Sequence, residues 1–452
     1  MAKMKIVYVC NECGSDQPKW SGQCPECSAW NTMAEFKLSG DKKKADAGVG
    51  YAGSQAVKIQ PIKDIKLSEI PRIHTGMDEF DRVLGGGLVP GSVVLIGGDP
   101  GVGKSSILLQ VMAYLSQHMK ALYVTGEESA EQVAMRAQRM DLACDQLEIL
   151  TATEVDTICS LAGQAQPKVM VIDSIQTMYL QDLSSAAGGV SQVRESAAKL
   201  TRFAKETHTA VILVGHVTKT GEVAGPRVLE HIVDAVVYLE GSDNRYRVMR
   251  AVKNRFGAVN ELGVFAMTDK GMREVKNPSA IFLNRTEESA PGSVVMIIWE
   301  GSRPMLVELQ ALVDDNQYGQ PKRLAVGYDQ YRLNLLLAVM HRHAGVFLGG
   351  QDVFVNVVGG IKVMETSADL PLVLAMLSSF KNKAIPQDLI AFGEVGLSGE
   401  IRPVANGQDR LHEAVKHGFK RAIVPAANVI KGGVPGLEII GVKKISEALQ
   451  YI

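Results

Sequence analysis

Short apolar runs, each closed by a polar residue, recur through the middle of the chain. The stretch "SVVLIGGDPGVGKSSILLQVMAYL", Ser92 to Leu115, opens as a short apolar strand. It passes through a glycine-rich loop and enters a helix with Ile107, Leu108, Val111, Met112 and Leu115 on its apolar face. Further strands read at Ala121 to Thr125, in "KVMVIDSIQT" up to Asp173, at Ala210 to Val217, at Ala235 to Glu240 and at Tyr246 to Val252. Helical patterns separate most of the earlier ones. The region from about 70 to 275 therefore reads as a parallel sheet wrapped by helices.

From about Ile281 the pattern changes. "GSVVMIIWEG" and "DVFVNVVGG" read as strands, and "YRLNLLLAVMHRHAG" as an amphipathic helix with Leu333, Leu336, Leu337 and Met340 on one face. "SADLPLVLAMLSSF" is a second helix, with Pro371 in its first turn. "AFGEVGLSGEIRPV" reads as two strands joined by a turn, "GQDRLHEAVKHGF" as a third helix and "KRAIVP" as a closing strand. The result is an α+β domain of mixed connectivity. Residues 36 to 60 are small, polar and charged without periodicity, as in a flexible linker. The expected division is 1–35, a metal-binding module; 36–60, the linker; 61–278, the α/β domain; and 279–452, the α+β domain.

Composition excludes several classes. The chain has 452 residues and a formal net charge of −1, so affinity for nucleic acid must come from local patches. No apolar run approaches the roughly 18 residues that span a bilayer, and "MAKMKIVYVCNEC" turns polar too soon for a signal peptide. A cytoplasmic protein with no membrane partner is expected.

Four of the six cysteines, Cys10, Cys13, Cys24 and Cys27, form a repeated C-x2-C. Two such turns point four thiolates at one centre, which favours zinc in a closed structural site. A pair of disulfides is the rival reading, and it fits a cytosolic chain poorly. A module of about 30 residues needs the metal to fold. Trp20 and Trp30 flank the second pair, either covering the site or forming a contact surface. Cys144 and Cys159 read as small buried hydrophobes.

The loop G-x4-G-K-S carries the nucleotide chemistry. Its residues Gly98, Asp99, Pro100, Gly101, Val102, Gly103, Lys104, Ser105 and Ser106 lead into the helix. Backbone N–H groups there can curl around an anion, aided by the helix dipole. Lys104 is expected to reach the β/γ-phosphates, and Ser105 to ligate magnesium. Asp173, at a strand tip, supplies the Walker B acid for the magnesium-bound water. Glu127 and Glu128 follow the strand at Ala121 to Thr125; Glu127 is the expected group to activate water, while Glu128 reads equally as a helix-start acid that complements the dipole. His216 ends a strand as Asp173 does, and reads either as a phosphate sensor or as a merely polar strand end. "AVKNRFGAV", 251 to 259, sets Lys253 and Arg255 around Asn254, where both project from one face of an extended segment.

In this order the elements resemble the RecA-like ATPase core. With the four-cysteine module and the C-terminal domain, the chain is similar to the bacterial RadA (Sms) recombination and repair family, whose signature is "KNRFG", Lys253 to Gly257. The resemblance covers almost the whole chain. It implies ATP or ADP with Mg2+ at a boundary between subunits of a hexameric ring, and a trans finger made by Lys253 and Arg255. It also implies loops at Thr177 to Lys199 and Val217 to Val228 that track single-stranded DNA, with Arg194, Lys199, Lys219 and Arg227 as cations. Branch migration of recombination intermediates and a partnership with the RecA recombinase complete the implied function. A nucleotide-gated regulatory ring that binds DNA without translocation is the alternative.

The C-terminal domain is similar to the proteolytic domain of the Lon protease family. That family needs a serine and a lysine to take its proton. Ser367 stands near the serine position, but Asp369 and Leu370 replace small residues, and Gln408 stands at the lysine position. Glutamine cannot act as a general base, so the domain is expected to be proteolytically inactive. It would hold a ring together, or present Lys322, Arg323, Arg402, Arg410, Lys416, Lys420 and Arg421 to DNA.

Overall fold

A computed structural model describes residues 5–10, 15–26, 28–38, 71–216, 229–241, 245–259, 261–279, 283, 289–316 and 319–452. The linker from residue 39 on, Cys13, Cys27 and the expected loop at Val217 to Val228, with Lys219 and Arg227, lie outside the described residues. The chain divides into two compact units, 1–275 and 276–452.

The first unit begins with β1 (Lys5–Cys10), β2 (Asp16–Gln17) and β3 (Met33–Leu38), paired antiparallel in the order β2-β1-β3. The α/β part then runs α1 (Asp78–Val83), β4 (Val93–Gly97), α2 (Lys104–Ser116), β5 (Ala121–Thr125), α3 (Ala130–Arg139), β6 (Glu148–Thr151), α4 (Val155–Ala165), β7 (Val169–Asp173), α5 (Val190–Thr207) and β8 (Ala210–Val214). It ends with β9 (Ala235–Gly241), β10 (Tyr246–Asn254), β11 (Leu262–Thr268) and β12 (Gly271–Glu274). The nine strands lie in the order β12-β11-β10-β9-β4-β8-β7-β5-β6.

Strands β4, β5, β7 and β8 are buried along their whole length, as parallel strands covered on both faces must be. Alternation divides them between two cores. Val94, Ile96, Tyr123, Val171 and Ile212 pack with Ile107, Leu108, Val111 and Met112 of α2. Val93, Leu95, Leu122, Val124, Met170 and Leu213 pack with Ile158 of α4 and Val193, Ala197 and Leu200 of α5. Cys144 and Cys159 are half-buried against these cores rather than inside them. Burial pushes the Cys159 thiol up to about 12, which leaves it protonated and inert.

Two expectations fail here. The sheet is not parallel throughout: β9 to β12 run antiparallel. The links between them are too short for the crossover that a parallel pair needs. Nor is Thr177 to Lys199 a loop, because α5 starts at Val190 and carries Arg194 and Lys199. Lys199 pairs with Asp156, and buried Gln192 bonds Leu180, Leu183 and Ser185, tying down the segment before the helix.

The second unit contains β13 (Ser293–Glu300), β14 (Arg303–Asp315), β15 (Arg323–Val326), α6 (Gln330–Ala344), β16 (Gln351–Val357), α7 (Asp369–Phe380), β17 (Leu389–Ala391), β18 (Glu394–Val395), β19 (Ile401–Arg402), α8 (Gly407–Lys416), β20 (Arg421–Pro425), β21 (Glu438–Val442) and α9 (Ile445–Ala448). Its mixed sheet has the order β15-β16-β14-β13-β17-β20-β21, with β18 and β19 in a small separate pair. This is an α+β fold. The segment expected as a closing strand, β20, is followed by β21, which takes the sheet edge.

Candidate nucleotide site

The loop after β4 needs its glycines. Gly98 has φ +152, and a Cβ there would collide with the Leu239 carbonyl oxygen. Arg247 Nε donates to the Val102 carbonyl oxygen at 3.0 Å and pins the loop tip. Lys104 opens α2 and is 4% exposed, with its Nζ folded back to donate to the carbonyl oxygens of Gly98 at 2.6 Å and Asp99 at 2.9 Å. Burial lowers its pKa, opposed by the nearby carboxylates of Asp173, Glu127 and Asp99. Loop, lysine and acids thus share one field. Hard oxygen donors beside a phosphate-shaped loop fit a magnesium nucleotide, with Ser105 and Asp173 as the residues that would hold the metal.

Asp173 ends β7 and is 5% exposed, with the Tyr123 hydroxyl donating to its Oδ2 at 2.6 Å. Nothing in the apolar pattern of β5 had marked Tyr123. Glu127 lies one strand over. Its Oε1 accepts from Ser174 Oγ and shares a hydrogen bond of 3.1 Å with His216 Nε2. The bond from His216 leads in lowering its pKa, ahead of the opposing effect of burial. Glu128 faces another way. It is paired with Arg136 of α3, and its amide and carbonyl are tied to Thr125 Oγ1. The structure therefore brings Glu127, not Glu128, together with Ser174 and His216.

Lys253 and Arg255 lie at the opposite end of the sheet. The phosphate loop leaves β4 after Gly97, which is level with Tyr238 of β9. Lys253 and Asn254 are level with Val236 and Ala235. A strand rises about 3.3 Å per residue, so Lys253 starts about 7 Å below the level of Gly97, and the backbone that follows it runs further away. Strand β10 bulges between Ala251 and Lys253 and stops at Asn254, so Arg255 is already in the bend. Both cations nevertheless converge on residues 230–234. Lys253 Nζ donates to the carbonyl oxygens of Glu230 and, at 2.8 Å, Val233. Arg255 pairs with the buried Asp234 at 3.2 Å. Asp234 also accepts from Val93 N and Lys205 Nζ, a hub that the sequence reading missed.

The rest of "KNRFG" builds the bend. Asn254 Oδ1 accepts from Phe256 N at 2.9 Å, and Arg72 Nη2 donates to the Phe256 carbonyl at 2.7 Å. Gly257 packs on Gly85 so closely that a Cβ would stand 2.8 Å from its Cα.

Known proteins match the chain from end to end. DNA repair protein RadA of Escherichia coli is 60% identical, over 99% of each chain. The RadA proteins of Bacillus subtilis and Aquifex aeolicus are 47% and 44% identical over the whole of this chain and 99% and 100% of their own. The chain belongs to the RadA family of DNA repair proteins. Within this RadA-family chain, an AAA domain model matches residues 71–222, a rubredoxin metal binding domain model matches 8–35, and a model of subunit ChlI of Mg-chelatase matches 338–428. A KaiC-like protein of Pyrococcus horikoshii aligns with TM-score 0.40 at 22% identity, covering 46% of this chain and 99% of its own. The chain is a RecA-like P-loop ATPase with an N-terminal zinc ribbon and a Lon-like C-terminal domain. No described helix is long and apolar enough to cross a membrane.

In the ribbon of this RadA-family member, Cys10 and Cys24 are 0% and 1% exposed and share one small core with Met33 and Tyr8. One cysteine of each C-x2-C therefore packs into the same small cluster, while Cys13 and Cys27 lie outside the described residues. Trp20 and Trp30 remain exposed beside them.

In the C-terminal unit Ser367 is buried, and its Oγ donates to Glu365. Its basic neighbour is Arg410, at 3.4 Å. Gln408 is exposed on α8. The expected surface cations are largely committed: Arg402 to Glu400, Lys416 to Glu413 and Arg421 to Asp388. Arg410 is not on the surface at all. It is 1% exposed, because it shares the inward face of α8 with Gly407, Leu411 and Ala414.

Proposed function

We propose that this repair ATPase is a motor on DNA that binds single-stranded and branched DNA and drives branch migration of recombination intermediates, working with the RecA recombinase as a hexameric ring. The observation that carries the reading is the placement of Lys253 and Arg255 at the sheet end opposite their own phosphate loop. Such cations meet a phosphate only on a neighbouring copy, which makes assembly a condition of turnover. In this reading the backbone of Gly98 to Ser106 and Lys104 hold the nucleotide, and Ser105 and Asp173 hold magnesium. Bound there, magnesium would neutralise charge on the transferring phosphoryl group. Glu127, steadied by Ser174 and His216, takes the proton of the attacking water. His216 directly precedes the expected DNA loop at Val217 to Val228 in sequence, so the same histidine touches the base and would lead into the DNA contact.

The C-terminal unit holds the assembly rather than cutting peptides. Arg410 supports this, because a guanidinium beside Ser367 cannot accept its proton.

The test is the steady-state ATPase rate with and without single-stranded DNA, across protein concentration and salt. Stimulation that rises with protein concentration and falls with salt is expected. A rate indifferent to DNA overturns the motor and leaves the regulatory ring. In the same assay Lys104→Ala loses nucleotide binding or turnover, and normal turnover would remove the phosphate-loop assignment.

A further inference from the structure

Strands β5 and β7 are parallel neighbours, with Tyr123 opposite Val171 and Thr125 opposite Asp173. Residues two apart on a strand share a face, so Tyr123 and Asp173 both point toward the side packed by α2. The tyrosine ring is 1% exposed, and its hydroxyl reaches up one register step to Asp173 Oδ2 at 2.6 Å. Facing a carboxylate, which only accepts, the phenol hydroxyl is the donor of this bond. A buried hydroxyl needs a partner, yet a backbone carbonyl would satisfy it equally well. Here it is spent on one oxygen of the candidate magnesium acid. That fixes the rotamer and the plane of the carboxylate and leaves Oδ1 for the metal's water shell.

We propose that Tyr123 is a positioning residue for the metal site: it orients Asp173 and thereby sets the magnesium affinity of the bound nucleotide. The inference rests on the assignment of Asp173 made above. Groups that hydrogen-bond a ligating carboxylate are worth about 10- to 100-fold in metal affinity. Tyr123→Phe removes the hydroxyl and keeps the ring that fills the core between β5 and α2.

The experiment measures binding of a fluorescent ATP analogue to the full-length protein as magnesium is titrated, for the parent, Tyr123→Phe, Asp173→Asn and the double variant. In Tyr123→Phe the magnesium concentration at half-maximal binding should rise about 10- to 100-fold. Affinity in EDTA should stay at the parental value, which also shows that the fold and the phosphate loop are intact. A tyrosine that only packed the core would leave the magnesium dependence unmoved, and that result overturns the proposal. If Asp173→Asn shifts the dependence and Tyr123→Phe does not, only the tyrosine's role fails. If Asp173→Asn shifts nothing, the metal assignment fails and takes this inference with it. In the double variant Tyr123→Phe should add nothing to Asp173→Asn; additive shifts would mean that the hydroxyl acts elsewhere.

Discussion

Lys253→Ala will bind nucleotide with parental affinity and lose about 10³-fold or more of its DNA-stimulated hydrolysis. The size follows from what a trans cation does: it meets charge that develops only as the phosphoryl group leaves, in a site shielded from water. Binding survives because Lys253 starts about 7 Å below the level of Gly97 and its ammonium is held by the Glu230 and Val233 carbonyls, not by its own loop. Folding survives because the lysine donates only to the neutral carbonyls of Glu230 and Val233, so its removal strands no buried charge. Burial, then the charge of Arg255, lowers the pKa of its ammonium.

Mixing makes the trans geometry testable. Glu127→Gln subunits keep Lys253 but cannot activate water, and Lys253→Ala subunits have the opposite defect. Mixed assemblies contain boundaries where an intact Glu127 site meets an intact Lys253, so activity should return on mixing. Turnover by Lys253→Ala alone at the parental rate, with DNA present, would sink the trans reading.

The candidate residues that were legible in the sequence stand in local patterns. The phosphate loop lies between a strand and a helix whose apolar positions are plain, and Asp173 and Glu127 close apolar strands. What stayed hidden depends on neighbours distant in sequence. Tyr123 looks like one more core aromatic until β7 is laid beside β5. Asp234 looks like a polar strand start until Lys205, Val93 and Arg255 converge on it. Helix α5 begins inside an expected loop although Val193, Ala197, Leu200 and Ala204 recur at helical spacing on its buried face. The antiparallel edge had a readable signal, the short link between β9 and β10, which leaves no room for a crossover helix. Arg410 also had one, since helical spacing sets it on the face of Leu411 and Ala414.

Arg410 carries the second large prediction. Its guanidinium makes a two-pronged pair with Glu365 at 2.7 and 2.9 Å and donates to the Ile297 and Ala405 carbonyls. Its Cζ lies 6.0 Å from the Trp299 ring centroid and 5.7 Å from that of Phe392. Glu365→Ala removes the counter-charge and strands a cation that is 1% exposed. Because Glu365 is itself 28% exposed, the cost lies at the lower end of the roughly 3–5 kcal/mol for breaking a buried pair, which for a unit of this size lowers its melting temperature by roughly 6–12 °C. Trp299 emission, read in a Trp20→Phe, Trp30→Phe background, follows this unit alone, because the chain has three tryptophans. Pairing Glu365→Leu with Arg410→Met should recover much of the loss, since well-packed apolar replacements of a buried ion pair are often close to neutral. A shift of under about 1 kcal/mol for Glu365→Ala would place the pair among solvent-screened surface bridges. It would also remove the physical reason for reading this arginine as the group that holds Glu365 in place beside Ser367.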